Sequence, residues 1–161
     1  MELSQSQKEL IESGASWGET GSFLILTIVL STIGSILIPI AMYRLSKAYE
    51  NKAIWINTFY AILTVVASIV LFIPLAFFLG ISVSSDIFII AYLFVFSTIT
   101  GWFLRRAYNE LKISSGIEDF GETARWILIG AMLYAVGIGF IFIWIAHYYA
   151  RRGFKKLENI Q

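Results

Sequence analysis

Cysteine is absent from this chain, which excludes disulfides, thiolate metal centres and cysteine nucleophiles together. Histidine occurs once, at His147, and proline twice, at Pro39 and Pro74. Charge is scarce: only 14% of the 161 residues are Asp, Glu, Lys or Arg, against about 25% in an ordinary globular domain. What charge there is sums to +1, so nucleic acid is not an expected partner. No glycine-rich phosphate loop, no metal-ligand cluster and no Ser-His-Asp set can be assembled from the rest. The expectation is therefore a non-enzyme with no cofactor and no metal.

Charge is missing in long blocks rather than evenly. Residues 20–43, 53–85, 87–104 and 126–150 carry none, and Asp86 alone separates the second block from the third. About 20 apolar residues suffice to cross a hydrocarbon core of about 30 Å, and each block approaches or exceeds that length. The apolar fraction of 58% and mean hydropathy of +0.75 agree. These blocks predict an all-α integral membrane protein, a four-helix transmembrane bundle with spans near 22–43, 54–79, 87–104 and 126–149. The domain divides as a polar N-terminal segment 1–21, the four-helix region 22–150 and a basic tail 151–161. The bilayer is then one partner, and other membrane subunits or further copies of the chain are the rest, in the cell membrane as a multi-pass protein.

In segment 1–21, Ser6 and Glu9 fit a capping box, and Leu3, Leu10 and Trp17 give one apolar face. A short interfacial helix ending at Gly14 is expected. The N-terminus has no basic run leading into a short apolar core, so it does not read as a signal peptide. In the first span Thr27, Ser31 and Ser35 fall at i, i+4 and i+8, a hydroxyl face that suits close helix packing. The last span carries Ala131, Ala135 and Gly139 at the same spacing, with Gly130 and Gly137 beside them. The third span should continue as helix to Ser114-Ser115-Gly116. An echo of Trp17-Gly18-Glu19-Thr20 recurs as Phe120-Gly121-Glu122-Thr123, a match short enough to arise by chance.

Orientation is contradictory. Lys and Arg near the first three spans place the loops at 44–52 and 105–125 in the cytoplasm and the N-terminus outside. Four crossings then put Arg151, Arg152, Lys155 and Lys156 outside as well, a tally of seven basic residues inside against five outside. Folding the last block back at Gly137-Ile138-Gly139 would give arms of about 18 Å, too short to cross. The expectation stays at four crossings.

The run Ile36-Leu37-Ile38-Pro39-Ile40-Ala41-Met42-Tyr43-Arg44-Leu45-Ser46 resembles the end of an early span in a family of small archaeal and thermophile membrane proteins. A closer match follows in Ala107-Tyr108, Ser115-Gly116-Ile117, Phe120, Leu128-Ile129-Gly130-Ala131-Met132-Leu133, Gly139-Phe140 and Ala146. This pattern is similar to the family known as domain of unknown function 996. The resemblance implies membrane placement and an archaeal source, and it brings no reaction, cofactor or catalytic residue.

His147 is the one candidate for cofactor binding, since an ionisable group inside a span is a functional candidate by default. As an axial haem ligand it would need a second ligand, from another chain or from Met132. Its position just before Tyr148-Tyr149 predicts instead an interfacial histidine that reaches water or a headgroup. The function expected from all this is an accessory or scaffolding subunit of a membrane complex. A small homo-oligomeric transporter or channel lined by Thr27, Ser31 and Ser35 is the alternative, and a haem- or quinone-handling subunit the third.

Overall fold

The computed structural model describes residues 4–26, 31–82 and 85–159, with Ser31 and Thr32 described in backbone only. Its elements are α1 (Gln5–Leu26), α2 (Ser31–Ala48), α3 (Lys52–Phe78), α4 (Asp86–Ser115), α5 (Glu118–Leu133), a 3₁₀ turn at Tyr134–Val136 and α6 (Gly139–Glu158). Each helix packs on the next, and α1 closes the ring against α6. Neighbours run antiparallel: Gly14 meets Leu45 and Gly21 meets Leu37 across α1 and α2, while Phe72 meets Phe88 and Tyr60 meets Phe103 across α3 and α4. The protein is thus all-α.

Two helices, α3 with 27 residues and α4 with 30, are long and apolar enough to cross a membrane. At 1.5 Å per residue they extend about 40 and 45 Å. The other helices are shorter, so the α3–α4 hairpin projects beyond the ring. A small cluster of Ala76, Phe88 and Tyr92, with Phe72 and Phe96 beside it, holds the projecting part together. The main core lies in the ring and joins Ile11 and Ala15 of α1 to Leu45, Ile54, Tyr108, Phe120, Phe154 and Leu157.

Two of the four expected spans are not continuous. The block 126–149 is divided into α5, the 3₁₀ turn and the start of α6, which folds back on α5. Gly137 makes the reversal at φ +83°, a left-handed conformation that costs glycine nothing, and its N–H donates to the Tyr134 carbonyl. The close approach needs glycine too: a side chain on Gly130 would strike Ile143, at 2.7 Å from Cγ1, and one on Gly139 would strike the Gly130 carbonyl. The block 20–43 is likewise split between α1 and α2, which lie against each other on either side of residues 27–30. Within each block, packing of the two arms on each other takes the place of a single straight helix.

Helices run across the boundaries expected at residues 21 and 150. Helix α1 does not end at Gly14 but runs on to Leu26, because Gly14 lies against Leu45 and Ala41 of α2 rather than at a helix end. Its capping box is two residues earlier than expected: the Ser4 N–H donates to Gln7 Oε1 at 2.9 Å and the Gln7 N–H to Ser4 Oγ at 3.3 Å. The basic tail continues α6 to Glu158 and buries Phe154 and Leu157 in the common core. Segments 4–21 and 151–158 are therefore walls of one bundle.

Other expectations hold. Helix α3 starts at Lys52, with the Asn51 side chain accepting from the Ala53 N–H at 3.0 Å. Helix α4 runs through to Ser115 and stops at Gly116 in a left-handed cap, its N–H donating to the Lys112 carbonyl at 2.8 Å. The two copies of the Gly-Glu-Thr echo fall on the first arms of the two short hairpins, α1 and α5.

Candidate functional site

Two features of the bundle are built from polar side chains: a charged end and a buried histidine. The charged end forms where the chain turns between α2 and α3, between α4 and α5, and where α1 begins and α6 finishes. Asn51 donates to Glu110 Oε2 at 3.1 Å and to Ser114 Oγ at 3.0 Å, tying the first turn to α4. Lys112 pairs with Glu118 at 2.6 Å, Arg151 with Glu19 at 3.5 Å, and Gln7 donates to Glu50 at 3.3 Å. Asp119, only 6% exposed in the first turn of α5, is held by Arg152 at 3.3 Å and by Lys156. Burial pushes the Tyr49 phenol, in the α2–α3 turn, up to about 12.

Directly above these charges lies a ring of aromatic side chains, most of them under a cation. Arg44 stacks on Trp17 at 5.8 Å, Lys47 on Tyr43 at 5.7 Å, Arg106 on Trp102 at 5.8 Å and Arg125 on Trp126 at 5.7 Å. Arg151 covers Phe23 at 4.7 Å, and Arg152 lies over Tyr148 and Tyr149. Beyond the collar, Asp86 at the start of α4 is the one charged residue among the described ones.

His147 is not at this interface. Of the four residues 146–149, Ala146 and His147 turn into the bundle, and His147 is 7% exposed with no partner for Nδ1 among the described residues. Ala146, Ala150, Phe154 and Leu157 continue the same buried stripe, and the helical period carries His147 inward with it. It borders two adjoining cavities, of about 360 Å³ and about 200 Å³, that share Val65, Thr100, Leu104, Ile127 and His147 as walls. Tyr108, fully buried, lines the smaller cavity, and its hydroxyl also lacks a partner among the described residues. The hydroxyls nearby are already engaged: Thr58 donates to the Ile54 carbonyl and Thr100 to Phe96, while Ser97 donates to Ala131 at 2.7 Å.

The remaining expected packing residues are placed differently from a single small-residue face. Thr27 lies outside the described residues and so does the side chain of Ser31, while Ser35 borders the smaller cavity beside Pro39. Gly130 and Gly139 meet each other across the α5–α6 hairpin, Ala131 packs on Gly101 of α4, Ala135 is half-buried in the 3₁₀ turn, and Gly137 is the exposed reversal. The hairpin brings these residues together in pairs, so they do not form one continuous stripe.

Sequence reasoning missed two groups. Gly14, Gly18 and Ser22 recur at i, i+4 and i+8 on α1 and are all buried; Gly18 lies under the Phe154 ring. The four-residue spacing of small side chains was the available signal. Asp119 with Arg152 and Lys156 was also missed; the i, i+4 spacing of the two cations on α6 marks one face for a shared acid.

A family profile described as "Protein of unknown function (DUF996)" matches residues 30–147 of the chain. The chain belongs to this DUF996 family. An uncharacterized protein of the archaeon Methanocaldococcus jannaschii is 24% identical over 132 residues, which cover 73% of each chain. No solved structure matches the chain. The family match ends at His147, so it takes in α2 to α5 and the cavity walls from both long helices.

Proposed function

We propose that this DUF996 member is a non-catalytic integral membrane protein that serves as an accessory or scaffolding subunit of a larger membrane assembly. In this reading α3 and α4 cross the bilayer, and the α1–α2 and α5–α6 hairpins enter one leaflet and leave on the same side. The observation that carries it is the exposure of the apolar projecting hairpin. Only 11% and 17% of the most apolar windows of α3 and α4 are buried, whereas the core helix of a soluble protein would be mostly covered. Phe77 and Phe78 are each 87% exposed at its tip. Surface of this extent needs lipid or a partner against it.

The aromatic collar with its cations supports the interface position, because amphipathic rings and snorkelling basic side chains collect at headgroup level. From Trp126 to the turn at Gly137 the second hairpin rises about 16 Å, roughly half of a hydrocarbon core. Its turn backbone is partly satisfied from within, by the Gly137 N–H and by Ser97 on the Ala131 carbonyl, as burial in lipid requires. This arrangement puts all 12 basic residues on one side, where four crossings split them seven to five.

Single cysteines introduced into the cysteine-free chain test the topology. Ser4→Cys, Ser114→Cys and Glu158→Cys should be labelled from one side of sealed vesicles and Ser82→Cys from the other. Ser4 and Ser114 on opposite sides would restore four crossings. Native extraction followed by blue-native electrophoresis tests the accessory role, for which a band well above the monomer is expected. A lone monomer in mild detergent would overturn it.

A further inference from the structure

Four basic residues of the charged end are held by acids: Lys112 by Glu118, Arg151 by Glu19, and Arg152 with Lys156 by Asp119. Arg105 on α4 and Arg125 on α5 are in no ion pair among the described residues. Both line one groove of about 400 Å³ between these helices, with Asn109, Gly121, Leu128 and Ile129 as its other walls and no acid among them. The nearby acids are turned elsewhere or stand apart. Glu118 is on Lys112, Glu110 accepts from Asn51 at 3.1 Å, and Glu122, one turn before Arg125, pairs with neither arginine.

The register of the α4–α5 hairpin orders these groups. Gly101 meets Ala131 and Gly121 meets Lys112, so Asn109 lies level with Ala124 and Arg105 level with Leu128. From the charged end inward the groove therefore presents the Asn109 amide, then Arg125, then Arg105, then Leu128 and Ile129. The two arginine positions are less than one helical turn apart along the hairpin. Arg125 lies over the Trp126 ring at 5.7 Å, which engages a face of the guanidinium and leaves its edge donors free. The side chains of Arg105, Asn109 and Arg125 make no hydrogen bond among the described residues. Both arginines are exposed, so their donors are open to a ligand.

We propose that this groove binds the phosphodiester head of an anionic membrane lipid. The phosphate lies between Arg105 and Arg125, the Asn109 amide donates to a further oxygen, and the first carbons of a chain cover Leu128 and Ile129. A guanidinium presents paired planar donors that match phosphate oxygens, and two of them beside a groove without acids favour an anion. The volume falls within the range of about 300–1,000 Å³ usual for small-molecule sites. A free phosphate would engage the cations and leave the apolar end uncovered. A lipid fits the order of the walls, because Leu128 and Ile129 lie on the side of the arginines away from the charged end. The proposal rests on the membrane reading for access to lipid, not on the number of crossings: Arg105 and Arg125 flank one connection and share a side with two crossings or four.

The test is native mass spectrometry of the delipidated chain in mild detergent, titrated with phosphatidylglycerol or phosphatidylcholine. One phosphatidylglycerol per chain should be held about tenfold more tightly than phosphatidylcholine, the worth of one hydrogen bond to a charged group. Arg105→Gln with Arg125→Gln should abolish the preference with helicity and elution volume unchanged. Arg105→Lys with Arg125→Lys should keep part of it, since the charge stays and the planar fork is lost. Arg44→Gln with Lys47→Gln removes equal charge at the same end and should leave the preference intact. Equal loss in the two glutamine pairs would reduce the effect to general surface charge and overturn the proposal. Displacement of phosphatidylglycerol by excess inorganic phosphate would overturn it too, by assigning the groove to the free ion. A parent chain that enters phosphatidylcholine vesicles yet shows no preference between the two lipids would sink the lipid site, the outcome if an acidic segment of a partner protein fills the groove, and leave the membrane reading standing.

Discussion

Asp119 offers an asymmetric test of how the charged end is held. Its carboxylate is 6% exposed, whereas Arg152 and Lys156 are 49% and 53% exposed. Removing the acid with Asp119→Asn leaves two cations that can turn to water. The loss is two well-screened pairs at about 0–1 kcal/mol each and the helix-dipole contribution of an acid in the first turn of α5, about 0.3–1 kcal/mol. The total is about 1–2 kcal/mol. Removing both cations with Arg152→Gln and Lys156→Gln instead leaves a buried carboxylate uncompensated, which costs about 3–5 kcal/mol. The dipole and the neighbouring Tyr148 and Tyr149 faces, freed of Arg152, change this by about 1 kcal/mol at most. The double variant should therefore be about 2 kcal/mol less stable than Asp119→Asn. The triple variant should recover to near the single one, because the buried charge is gone. Reversible unfolding in mixed micelles, followed by far-ultraviolet circular dichroism, measures all three. Equal losses in the single and double variants, or additive losses in the triple, would refute this account.

Three further outcomes follow from the packing. Gly18→Val should destabilise the bundle by about 1–3 kcal/mol, because the added carbon meets the Phe154 ring, 2.6 Å from Cγ, and Phe154→Leu in the same chain should recover part of the loss in a thermal unfolding series. Gly137→Ala gives opposite signs for the two shapes of block 126–149: at φ +83° it should destabilise by about 1–2 kcal/mol, whereas in a continuous helix it would stabilise by about 1 kcal/mol. Asn51→Ala removes the α3 cap and the links to Glu110 and Ser114 at once, so its midpoint in the same unfolding series should fall by about 1–2 kcal/mol equivalent; no change would mean that the α2–α3 turn is held without them.

Much of the fold was readable from charge and glycine alone. The start of α3 after Asn51, the end of α4 at Gly116 and the turn before Asp86 all lie where polar residues return, and local chemistry decides them. The fold-back at Gly137-Ile138-Gly139 was readable as an alternative, but arms of about 18 Å count against it only if each arm must cross the bilayer; the α1–α2 hairpin was not readable. A charge-free run has much the same composition whether it is straight or folded back. Gly137 was visible as a small residue, but its left-handed φ becomes necessary only once α6 packs on α5. Gly14 was misread because a glycine near a helix end in water is usually a cap, whereas here it admits Leu45. His147 was placed by its neighbours Tyr148 and Tyr149 when the helical period, shared with Ala146, Ala150 and Phe154, pointed it inward.

The unequal helix lengths link these features. At the charged end six helices close a ring, and Tyr108, Phe120 and Phe154 fill it, with ring centroids 5.1 to 6.3 Å apart. Toward the tips of the short hairpins four of those helices stop while α3 and α4 continue. The side chains that face inward at that level are small, Ala61, Thr100, Gly101 and Ala131 among them, and they let the hairpins approach the long pair without filling the space between. Close-packed interiors tolerate such space only where something occupies it or where the lining tolerates being dry. An entirely apolar lining would satisfy the second condition. The unpartnered Tyr108 hydroxyl and His147 Nδ1 are packed away from that surface, so the gap follows from the unequal helix lengths and its lining tolerates it.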